Sequence, residues 1–174
     1  MGLVSLKACR EANIAESTDN PGVIARPPIL YLGGLIALAV LRWFWPAPIL
    51  ASATLALYLG LVIGVLAVGF ILWAIVAMRG AGTNVDPMKE STTIVTAGPF
   101  RYTRNPIYVG GTLLFLGFTI GFNSWWGLVV LVPMLAVLHV GVVLREERYL
   151  ERKFGEPYRQ YKSRVARYAG TRTP

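Results

Sequence analysis

Four long apolar runs, separated by short polar breaks, dominate the chain from residue 29 onward. They cover roughly Ile29 to Trp45, Ile49 to Met78, Ile107 to Phe122 and Trp125 to Leu144. A helix crossing the hydrocarbon core of a bilayer takes about 20 apolar residues, so each run predicts a span. The second is long enough to tilt or protrude, and the third is short. The first ends in Arg42-Trp43-Phe44-Trp45-Pro46, where aromatics suit the headgroup level and the arginine can snorkel. Asn123-Ser124 leaves room only for a tight turn, so the third and fourth spans pair as an antiparallel helical hairpin. The expected fold class is an all-α polytopic membrane helix bundle with a cytoplasmic C-terminal helical segment, forming a single unit from residue 27 to 174.

Polar positions give the orientation. The breaks at 46–48 and 123–124 carry no charge, whereas residues 1–26, the 79–106 loop and the tail after Leu144 hold every lysine and arginine except Arg42. The positive-inside rule therefore places both termini and the central loop in the cytoplasm of a multi-pass cell (inner) membrane protein. Residues 1–26 are mixed polar with no apolar stretch of a secretory signal, and Leu6 breaks the myristoylation pattern. They read as a loosely ordered cytoplasmic arm.

Composition agrees and removes several classes. Of 174 residues, 55% are hydrophobic and 15% charged, against about a quarter charged in soluble domains, and mean hydropathy is +0.53. The net charge of +8 would suggest nucleic acid in a soluble protein, but here topology accounts for it, so no nucleic-acid partner is expected. Cys9 and His139 are the single cysteine and histidine. That excludes a disulfide framework and a cysteine- or histidine-rich metal centre, and no metal site is expected.

Gly60 and Gly64, and again Gly117 and Gly121, are spaced for close helix contact, within the monomer or between copies. Nothing in the pattern decides the oligomeric state.

Candidate chemistry lies where topology does not account for polar residues. In the central loop, Gly98-Pro99 marks a turn, and Asn105-Pro106 supplies an N-cap followed by proline at the first helical position. Arg101 and Arg104 beside it are positive-inside anchors or site residues. At the exit of the fourth span, His139, Val142, Val143 and Glu146 share one face if the helix continues. His139 is either an interior histidine or a catalytic one, and Glu146-Glu147 either meets a cationic ligand or forms surface salt bridges. Farther on, Gly155 should end one helix and Pro157 begin another, with Tyr158, Tyr161 and Val165 on one face against the headgroups.

The string Gly98-Pro99-Phe100-Arg101-Tyr102-Thr103-Arg104-Asn105-Pro106-Ile107-Tyr108-Val109-Gly110, then Glu146-Glu147, then Phe154-Gly155 with Tyr158 and Tyr161, resembles one superfamily. It is that of the integral-membrane methyltransferases, which comprises isoprenylcysteine carboxyl methyltransferases and phospholipid N-methyltransferases. The resemblance spans about residues 83 to 168, in order and spacing. It implies S-adenosylmethionine as cofactor, held by Thr92, Thr93, Ile94, Val95 and Phe100, by Asn105, Pro106, Ile107 and Tyr108, and by Glu146 and Glu147. Arg104 and His139 are the catalytic candidates. A sulfonium cation suits aromatic faces and carboxylates, and an already activated methyl group asks the protein mainly for alignment and exclusion of water.

The departures are informative. Asn105 stands where the carboxyl methyltransferases often have histidine, Thr92 aligns with their loop histidine, and Val142 with their substrate-contacting arginine. The resemblance therefore implies methyl transfer to a lipophilic acceptor other than a prenylcysteine, drawn from the bilayer, with membrane lipids as surroundings. The rival readings are an NADPH-dependent reductase of related architecture, as in sterol reductases, and a non-catalytic membrane scaffold.

Overall fold

A computed structural model describes residues 21–86 and 88–170. Most of the expected N-terminal arm, residues 1–20, lies outside the described residues. Among these the regular elements are helices, with no strand. They are α1 (Pro27–Phe44), α2 (Ala53–Gly80), α3 (Pro106–Gly121), α4 (Trp126–Leu138), α5 (Leu144–Phe154) and α6 (Glu156–Arg164). A 3₁₀ turn, Gly98–Arg101, precedes α3, and a π-helical segment, His139–Val143, joins α4 to α5 without a break.

The four apolar runs become α1 to α4 within a few residues of the expected ends. Among the described residues, three helices are long and apolar enough to cross a membrane: Pro27–Phe44, Ala53–Gly80 and the continuous Trp126–Phe154. The shorter α3 has 16 residues, about 24 Å at 1.5 Å per residue. Helix α2 shows the inversion expected of a lipid-exposed element. Its buried positions are Ala56, Gly60, Ala67 and Ala74, while Val65, Leu66 and Val76 are among its exposed side chains. Small residues face protein, so that backbones approach closely, and large apolar ones face acyl chains.

Helix α3 is the centre of the bundle. It packs along α2 on one side and touches α1 and α4 on others, while α1 packs chiefly on α4. The two glycine spacings meet each other here. A Cβ on Gly60 would stand 2.5 Å from the Gly121 Cα, and one on Gly117 would stand 3.0 Å from the Gly60 carbonyl oxygen. They serve packing within the monomer. Next to them, Gly110 makes room for Ile71 of α2 and Gly111 for Tyr31 of α1. Helices α1 and α2 thus approach α3 closely through two adjacent glycines. Asn123, with φ of +50°, accepts the backbone N–H groups of Ile49 and Leu50 through its side-chain oxygen, stapling the two uncharged turns together.

The helix after Leu138 departs from the simple continuation. The π-helical segment shifts the register, so the face carrying His139 no longer runs straight on to Glu146. The chain ahead of α1 covers this segment. Val23 is buried, and Ile24 donates its backbone N–H to the Gly141 carbonyl at 3.2 Å. Gly155, at φ +60°, ends α5, and Pro157 lies in the first turn of α6 as expected. The face of α6 bearing Tyr158 and Tyr161 is not spent on lipid headgroups: with Val165 it forms a buried cluster against Ile94, Leu150 and Phe154.

Candidate active site

Where the central loop, the start of α3 and helices α5 and α6 meet, a cavity of about 760 Å³ opens. One end is polar and holds Arg104, Asn105, Tyr108, Glu146 and Glu147. The other is walled by Leu32 and Leu35 of α1, Ile71 and Ile75 of α2, and Leu114 and Phe118 of α3. Thr93, Ile94, Val95 and Phe100 line the loop side, Pro106 and Ile107 the helix start, and Tyr158 and Tyr161 the α6 side.

The adjacent glutamates have different partners. Glu146 Oε2 accepts a hydrogen bond from the Tyr108 hydroxyl at 2.7 Å. Glu147, only 4% exposed, accepts a two-pronged bond from Arg167, Nε to Oε1 at 2.8 Å and Nη2 to Oε2 at 2.9 Å. Arg104 Nη1 lies 3.0 Å from the same Oε1, with its side chain 2% exposed. That contact is electrostatic and off the angle of a hydrogen bond, so Arg104 Nε and Nη1 have no hydrogen-bond partner among the described residues. The bond to Glu147 raises the Arg167 pKa above its ordinary value. Burial pushes the Tyr158 hydroxyl up to about 12, with the Glu147 charge adding and Arg104 opposing. Burial raises the Tyr161 hydroxyl as well, so both tyrosines of α6 stay protonated at neutral pH, and Tyr161 donates to the Phe100 carbonyl at 2.7 Å.

Asn105 does occupy the N-cap position of α3, but its side chain does not cap it. Its Nδ2 instead donates to the Arg167 carbonyl at 3.1 Å. Thr103 Oγ1 donates to that same carbonyl and accepts the Asn105 N–H. Proline already removes one unpaired N–H from the helix start, so the amide is released for a long-range contact.

Of the residues singled out in the sequence, Thr93, Ile94, Val95, Phe100, Arg104, Asn105, Pro106, Ile107, Tyr108, Glu146 and Glu147 converge on this cavity. Thr92 and His139 are not among its lining residues. Thr92 is exposed and donates to the Gly82 carbonyl, tying the loop to the end of α2. His139 Nδ1 is hydrogen-bonded to the Tyr168 hydroxyl at 2.5 Å, the π-helical segment having taken it off the Glu146 face. Tyr102, two residues after Phe100, is 58% exposed. The sequence reading missed Tyr31 of α1 as a lining residue, and also Arg167. An arginine in a basic tail carries no local mark of such a role.

These features define a membrane helix bundle with a ligand-sized cavity at one end. The phospholipid methyltransferase family model matches residues 55–157, more than half of the chain. The chain belongs to this family of membrane methyltransferases. An uncharacterized protein of Haemophilus influenzae is also similar, at 34% identity over 65 residues, which is 36% of this chain and 98% of that protein. No solved structure matches the chain.

Proposed function

We propose that the chain transfers the methyl group of S-adenosylmethionine to a lipophilic acceptor at the cytoplasmic face of the cell (inner) membrane, both termini being cytoplasmic. The observation that carries this is the two-ended cavity, in which an ionic and aromatic end adjoins an apolar end built from three apolar helices. Its volume falls in the range of about 300–1,000 Å³ usual for small-molecule sites.

The residues present fit such a cofactor. A sulfonium is stabilised by aromatic faces, and Phe100, Tyr108, Tyr158 and Tyr161 all line the cavity. Glu146, oriented by Tyr108, offers a carboxylate to an ammonium or to ribose hydroxyls. Thr93, Ile94 and Val95, with Pro106 and Ile107, supply the walls, and Asn105 an amide already anchored on Arg167. When bound, S-adenosylmethionine supplies a methyl group already activated for transfer to a nucleophile. The chain aligns the acceptor and keeps water out. Arg104, which lines the cavity beside Glu147 and Tyr158, holds an oxygen-bearing group of the acceptor or negative charge developing on it. The acceptor reaches the site from the bilayer, past the apolar walls of α1 and α2.

Two measurements test this reading. Purified protein titrated separately with S-adenosylmethionine and NADPH should bind the first and not the second. Mass spectrometry of membrane lipids with and without the protein should then show species heavier by one methyl group. Binding of NADPH alone would favour the reductase, and binding of neither a scaffold.

A further inference from the structure

The segment after α6 lies beyond the matched residues 55–157, yet it is built into the polar end of the cavity. The Ala166 carbonyl accepts the Arg104 backbone N–H at 3.1 Å. The Arg167 carbonyl accepts Thr103 Oγ1 at 3.0 Å and Asn105 Nδ2 at 3.1 Å. Two neighbouring carbonyls thus hold three consecutive loop residues. Above them, the Arg167 side chain occupies both oxygens of Glu147.

That double occupancy bears on Arg104. A buried guanidinium next to a carboxylate prefers the planar two-pronged pairing, with two parallel N–H···O bonds. Here the fork is taken by Arg167, and Arg104 keeps an off-angle contact through Nη1 together with a side-chain hydrogen bond to Tyr158. One carboxylate between two guanidiniums leaves one positive charge over within this triad, with the Glu146 carboxylate next to it in the chain. Arg104 lines the cavity and Arg167 does not.

We propose that Arg167 is a positioning residue of the site: by saturating Glu147 it prevents Arg104 from folding onto that carboxylate, and so holds the Arg104 guanidinium beside the Tyr158 hydroxyl at the polar end of the cavity. Without the Arg167 fork, Glu147 rotates to pair with Arg104 two-prongedly, and the guanidinium is drawn away from Tyr158 and the cavity. The Val165–Tyr168 strap is therefore part of the transferase site. Its activity arm rests on the methyl-transfer reading above, while the labelling arm does not.

Both arms use the full-length protein in membranes, comparing wild type with Arg167→Gln, Arg167→Lys, Arg104→Lys and the Arg104→Lys/Arg167→Gln double variant. The first follows transfer of tritiated methyl from S-adenosylmethionine into extractable lipid. Arg167→Gln should lower it tenfold or more, with Arg167→Lys intermediate because it retains charge without the fork. In the Arg104→Lys background the same glutamine should cost less than twofold, since the residue it positions is already gone. The second arm follows modification of Arg104 by phenylglyoxal, read by peptide mass spectrometry, which Arg167→Gln should slow about fivefold. Additive losses in the double variant, or Arg104 labelling unchanged by Arg167→Gln, would overturn the positioning role. Slowed labelling in a protein whose wild type transfers no methyl would support it and refute the methyl-transfer reading instead.

Discussion

Replacing each glutamate of the Glu146-Glu147 pair by glutamine, one at a time, should separate a stability role from a ligand role. Glu147 is 4% exposed and is the shared counter-ion of Arg104 and Arg167. Glutamine there leaves the Arg104 charge buried, with its side chain 2% exposed and no anion beside it. Removing one partner of a buried ion pair costs about 3–5 kcal/mol. Arg167, with its side chain 32% exposed, can turn to water and recover much of its own solvation, which favours the lower end, about 3 kcal/mol. For a chain of this size, about 2–4 °C per kcal/mol gives a drop in Tm of about 6–12 °C. Glu146 faces a tyrosine hydroxyl rather than a cation, so Glu146→Gln strands no charge and should move Tm by less than about 2 °C. It should instead weaken S-adenosylmethionine binding roughly tenfold or more, the loss of a charge-assisted hydrogen bond worth about 1.5–3 kcal/mol. Thermal melts in detergent and calorimetric titration of both variants check the contrast. Equal Tm for the two variants would refute the assignment of Glu147 as the buried counter-ion, and unchanged cofactor affinity in Glu146→Gln would remove Glu146 from the ligand site.

Arg104→Lys keeps the charge beside Glu147 but loses the planar fork. Turnover in the lipid methylation assay should fall by about ten- to a hundredfold, equivalent to about 1.4–2.7 kcal/mol, and near-normal transfer would leave Arg104 as an anchor only. Gly60→Ala puts a methyl 2.5 Å from the Gly121 backbone and must push α2 off α3, whereas a Cβ on Gly69 of the same helix has nothing within 4 Å. Thermal melts should show Gly60→Ala destabilised by about 1–3 kcal/mol and Gly69→Ala little changed. Reporter tags inserted in the 79–106 loop and fused after Pro174 should both read cytoplasmic, and opposite sides would overturn the orientation.

The helices and their ends were legible in the sequence because their causes are local. Hydropathy over about 20 residues sets a span whatever surrounds it, proline at position 106 starts α3, and glycine at 155 stops α5. The four glycines at 60, 64, 117 and 121 announced a close contact, although only the packed bundle shows that the two pairs meet each other. Tertiary structure alone decided how the site is assembled. The π-helical turn at His139–Val143 took His139 off the Glu146 face, and its packing against Val23 and Ile24 joins residues more than a hundred positions apart. Glu146 and Glu147 are chemically identical neighbours, and only their partners, Tyr108 on one side and Arg104 with Arg167 on the other, give them separate tasks. Arg167 reads in the sequence as one more basic residue of the tail. It acquires a role because α6 turns the chain back over the Thr103–Asn105 loop, across 62 to 64 positions. Periodicity and capping report what a segment does with its own backbone, whereas counter-ions are chosen among residues that folding brings together.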